Sequence, residues 1–88
     1  MHVKRSDYMV DLKTAYRIAN DFFLENAYLG VYEARETDTS WLFEGKCKGT
    51  CYGTSEVCVP KNGDEPYIFS VTDMDSAIMW RNAKVVSL

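Results

Sequence analysis

Histidine occurs once in these 88 residues, at position 2. A cysteine nucleophile would have to find its base in that terminal stretch, where chains are loosely held, so thiol catalysis is not expected. Long apolar runs are missing too. Nothing approaches the roughly 18 residues a membrane helix requires. The opening MHVKRSDYMVDLKT is charged and lacks an apolar core, so no secretory signal is expected. Basic residues are not in excess: Lys and Arg number 10 against 13 Asp and Glu, for a net charge of −3. Without a basic stripe, a nucleic-acid partner is not expected. No Cys-x-x-Cys redox pair, repeat, linker or low-complexity segment is found.

What is present is apolar content: 47% of the residues are hydrophobic and 14% aromatic, enough for one core at this size. A single domain over residues 1–88 is expected. The excess acid lies in residues 1–44, with eight acidic and five basic side chains, whereas residues 45–88 carry five of each. That asymmetry suits a basic partner. Three cysteines is an odd number, so at least one is unpaired within the chain, and a reducing, cytoplasmic setting is expected.

Residues 7–27, DYMVDLKTAYRIANDFFLENA, have helical periodicity. Tyr8, Leu12, Ala15, Tyr16, Ala19, Phe22, Phe23 and Ala27 share one broad face, with Ser6 or Asp11 as the cap. YLGVYEARE (28–36) is rich in β-branched and aromatic residues, and TDTS (37–40) has turn chemistry. In WLFEGKC (41–47), Trp41 and Phe43 alternate with Leu42 and Glu44, placing the first pair inward and the second outward. SEVCVPK repeats the pattern, with Val57 and Val59 inward and Glu56 and Cys58 outward. NGDE (62–65) predicts a turn, and Pro66 at the head of PYIFSV suits an edge strand. TDMDSAIMWRNAK predicts a second helix capped by Thr72, with Met74, Ala77 and Ile78 as its inward stripe. The tail VVSL either adds a short strand or trails. The expected fold is α+β: an N-terminal helix on a three- to four-stranded antiparallel meander, then a short C-terminal helix.

The stretch GKCKGTCYGTSEVC (45–58) holds all three cysteines. A structural zinc site needs four ligands, commonly from paired knuckles. The spacing Cys47-x3-Cys51-x6-Cys58 offers three, with distant His2 as the fourth. Strand alternation puts Cys47 toward the core and Cys58 away from it, so no metal or other cofactor is expected. A disulfide from Cys51 to a strand cysteine is compatible with the sequence but not demanded by it. Gly45, Gly49 and Gly53 separate two strands instead of leading into a helix, which favours backbone bends over a phosphate loop. Glu33, Glu36, Asp38 and Glu44 gather around the first turn, and Asp73 and Asp75 open a helix. Turn and cap roles account for them without acid–base catalysis. In the second helix either Met79 or Trp80 falls off the inward stripe. An exposed Trp80 would be an anchor for a partner, although burial is the favoured reading.

The segments AYRIANDF (15–22), SWLFEG (40–45) and VCVPKNGDE (57–65), followed by a closing acidic helix, resemble the bacterial immunity protein 35 family over nearly the whole chain. A weaker resemblance is to PepSY-type propeptide domains. The first resemblance implies a non-enzymatic domain that binds and neutralises a toxin, with no catalytic residues. Glu33, Glu36, Asp38, Glu44 and Trp80 are the candidate partner-binding residues. The alternatives are a regulatory module taking zinc or a small ligand through the Cys47–Cys58 loop, and a protease-inhibiting or propeptide-like domain. The PYIFSV strand would leave an edge through which two copies could pair.

Overall fold

A computed structural model describes residues 10–47 and 56–87. The element order is α1 (Leu12–Glu25), β1 (Val31–Glu36), β2 (Ser40–Gly45), β3 (Glu56–Pro60), β4 (Tyr67–Phe69), α2 (Met74–Asn82) and β5 (Lys84–Val86). The fold is α+β. The sheet has five antiparallel strands in the order β4-β3-β2-β1-β5. The tail thus supplies a fifth strand, which pairs with β1 at the edge opposite β4.

Helix α1 starts where Asp11 accepts a 2.9 Å bond from the Thr14 backbone N–H, satisfying one of the first-turn donors. Residues 7–9 of the expected helix lie outside the described residues. It stops at a left-handed residue, Ala27 (φ 68°), after which the Tyr28 N–H reaches back to Phe23 O at 2.9 Å. The Tyr28 and Phe23 rings meet at 5.3 Å, the apolar contact that accompanies such a cap. An alanine in this conformation carries a steric cost that glycine does not. Ala27→Gly is therefore expected to raise stability, by up to about 1 kcal/mol, read as a higher urea midpoint.

Strand alternation divides the side chains between two faces, and both are covered. On the first, Ala15, Ala19 and Phe23 of α1 pack on Ala34, Phe43, Val57 and Val59. Trp41 joins them at the rim, donating its indole N–H to Val10 O at 2.7 Å beneath the Lys61 ammonium. On the second, Leu42 and Cys58 are fully buried with Phe69 and Ala83, under Val71, Met79 and Trp80.

That second core corrects the expectation that Leu42 and Cys58 point outward to solvent. Their parity is as expected, but the chain crosses this face as it passes from β4 through α2 to β5. The stripe of α2 is rotated accordingly. Met79, Trp80 and Ala83 face the sheet, while Met74 and Ile78 are exposed. Its cap is Asp73, which accepts from the Ser76 N–H at 3.2 Å, and not Thr72. Asp75 in the first turn and Arg81 in the last complement the helix dipole.

Candidate interaction surface

The second face of the sheet carries a row of three carboxylates. Glu33 on β1 lies opposite Glu44 on β2, which lies opposite Glu56 on β3. Directly opposed side chains in an antiparallel pair have their Cβ atoms about 4.5–5.5 Å apart, and like charges there repel. Glu56 is 1% exposed. The Glu44 carboxyl is held above its ordinary value of 4.5, first by burial, then by Glu56 and Glu33, against a pull downward from Arg35.

Arg35 is the counterweight. Its Nε donates to Glu33 at 2.6 Å and its Nη1 to the Trp80 carbonyl at 2.9 Å. The guanidinium also lies 4.5 Å from the centre of the Trp80 ring. One side chain thus neutralises the row at its β1 end and ties α2 to the sheet by a hydrogen bond and a cation–π contact. Trp80 is half-buried, tilted against Phe69 at 6.3 Å.

Of the residues expected to meet a partner, Glu33, Glu44 and Trp80 share this face. Glu36 does not. It lies on the α1 face, opposite Trp41, paired with Lys61 Nζ at 2.6 Å. Asp38 is at the exposed tip of the first hairpin, where Thr37 Oγ1 accepts from the Ser40 N–H at 2.9 Å. Glu56 completes the row and was legible as an outward residue of its strand, but only the register sets it beside Glu44.

The carboxylate row has a pH signature. A raised carboxyl pKa means that the folded protein holds a proton the unfolded chain has lost. Stability therefore falls as pH rises from near 4.5 through the raised value. Glu44→Gln is expected to stabilise the protein at neutral pH by about 0.2–1 kcal/mol. The gain should vanish at acid pH, where the carboxyl is protonated in both states. Urea unfolding at the two pH values checks this.

Cys47 is half-buried and disulfide-bonded, and its partner lies outside the described residues. Cys58 is free and buried. Cys47 is thus not the buried core thiol expected, nor Cys58 the surface one. Tyr67, opposite Cys58, has its phenol pushed up to about 12, chiefly by a hydrogen bond with the Cys58 side chain and then by burial. A disulfide points the other way from a reducing setting. Alkylating the denatured, unreduced protein is expected to label one of the three cysteines, Cys58, and all three after reduction. Cys51, Gly49 and Gly53, which the zinc and phosphate-loop readings need, lie outside the described residues. Among the described residues, no group of three or more His, Cys, Asp or Glu could hold a metal ion. No helix among them is long and apolar enough to cross a membrane.

No family model, curated protein or solved structure matches the chain.

Proposed function

We propose that this chain is a non-enzymatic protein-binding domain that neutralises a bacterial toxin by covering it, in the manner of the immunity protein 35 family. The observation that supports this is the Glu33–Glu44–Glu56 row. Like charges opposed across a sheet oppose folding, and a basic surface docked over Glu33 and Glu44 would offset that repulsion. Electrostatic complementarity of this kind speeds association and selects the partner. The resemblance in AYRIANDF, SWLFEG and VCVPKNGDE supplies the class of partner; the cytoplasmic setting it implies has the Cys47 disulfide against it.

The test is growth rescue. The open reading frame immediately upstream is expressed in a neutral host, alone and with this protein. Toxicity alone with growth restored by co-expression supports the reading, and rescue should weaken for Glu33→Gln/Glu44→Gln. A toxic neighbour against which the wild-type protein gives no protection counts against it, as does a harmless neighbour.

A further inference from the structure

The two edges of the sheet are unlike. β5 opens with Lys84, a charged residue of the kind that discourages a further strand from pairing. β4 reads Tyr-Ile-Phe, without a charge, and among the described residues nothing pairs its outer side. Its middle residue, Ile68, lies opposite Val57 on the α1 face and is 56% exposed. Beside it is a groove of about 330 Å³ lined by Ile18 and Phe22 of α1, Val57, Pro66, Tyr67 and Ile68.

Near the groove-lining residues acidic side chains outnumber basic ones, with exposed Arg17 beside Ile18. On α1, Asp21 and Glu25 stand three and seven residues after Ile18, on the same flank of the helix, and both are exposed. Exposed Glu65 directly precedes Pro66. None of the three is in an ion pair among the described residues.

We propose that the β4 edge binds an extended segment of a partner protein as an added strand, seating one apolar side chain in the groove, with Lys or Arg two residues to either side. The spacing follows from strand geometry. Main-chain bonds to β4 would place every second side chain on the α1 face, about 6.6 Å apart. An apolar residue level with Ile68 then has its i−2 and i+2 neighbours level with Pro66 and Ser70, on the face covered by α1, the helix that carries Asp21 and Glu25. The charges argue against a second copy as occupant, because two β4 edges would bring Asp21, Glu25 and Glu65 of each chain toward those of the other. This inference rests on the protein-binding part of the reading above, not on the partner being a toxin.

The probe is a synthetic capped peptide, Ser-Lys-Thr-Ile-Thr-Lys-Ser, with two controls: Glu replacing both Lys, and Ser replacing Ile. Each is titrated to millimolar concentration into isotope-labelled full-length protein and followed by NMR. The Lys–Ile peptide is expected to shift the amides of residues 67–69 and the methyls of Ile18 and Ile68. Both controls should bind at least about tenfold more weakly. Ile68→Lys and, separately, Ile18→Lys should abolish the response while leaving the remaining spectrum in place, since both side chains already meet solvent. No shift at β4, shifts centred elsewhere, or equal response to all three peptides overturns the proposal. So does a concentration-dependent dimer joined at β4, which would make the second copy the occupant. Growth rescue separates the two readings. If wild type and Ile68→Lys rescue equally and the peptide does not bind at β4, the β4 site fails and toxin binding stands. If wild type does not rescue but the peptide binds at β4, the toxin reading fails and the edge site stands.

Discussion

Replacing Leu42 with alanine is expected to lower the unfolding free energy by about 2–5 kcal/mol. Leu42 is 0% exposed and lies between Arg35 on β1 and Cys58 on β3, beneath the segment that runs from Val71 through α2. Truncation removes apolar contacts and leaves a void, because Phe69 and Ala83 are held by their own strand and turn and can close only part of it. The experiment also discriminates between architectures. With a sheet covered on one side only, Leu42 would face water, and its loss would change stability by less than about 0.5 kcal/mol. Urea unfolding of the two proteins decides, since a domain of this size suits a two-state treatment. A change below that bound would sink the second core. A loss in the expected range accompanied by an unchanged denaturant slope would place the effect in the folded state.

The other large effect is expected at Gly45. A Cβ built there would stand 2.6 Å from Phe23 Cδ1 and 2.8 Å from Tyr28 Cδ2. The Phe23 ring has no room to retreat. Phe23 is fully buried and packs edge-on against Phe22 at 5.7 Å, and Tyr28 is tied to Phe23 through the cap of α1. Gly45→Ala must therefore push α1 away from β2, at a cost of about 1–3 kcal/mol. Phe23→Leu alone leaves a void and is destabilising too, but it clears the space the new methyl needs. The double variant is expected to lose less than the sum of the single losses, with a coupling of about 0.5–3 kcal/mol. Strict additivity in that cycle would mean that the contact with Phe23 is not why glycine stands at this position.

Local chemistry was legible where the deciding contacts are short in sequence. Asp11 caps α1, Asn62 and Gly63 turn the chain between β3 and β4, and Pro66 precedes an edge strand, as their residue types suggest. The periodicity of Ala15, Ala19 and Phe23 identified the buried side of α1, and Trp41, Phe43, Val57 and Val59 identified the face of the sheet it covers. The cap of α2 stands one residue beyond the expected Thr72, because Thr72 and Asp73 are both good caps and are adjacent. Glu36 and Glu33 are three residues apart and looked alike, yet they serve opposite faces, one held by Lys61 and the other by Arg35.

Composition and local pattern are enough for an α+β domain with one strongly amphipathic helix, antiparallel hairpins, and the sorting of each strand's side chains into two sets. Alternation says which residues share a face but not whether anything lies over that face. Whether Leu42 and Cys58 meet water depends on where residues some thirty places later in the chain come to rest. That is settled by the pairing of β5 with β1 and by Arg35 holding Trp80, contacts between distant segments that no local pattern encodes. The same holds for the acidic row and for the groove at β4. Glu33, Glu44 and Glu56 become neighbours only through strand register, and Ile18 meets Ile68 only once helix and sheet edge are packed together.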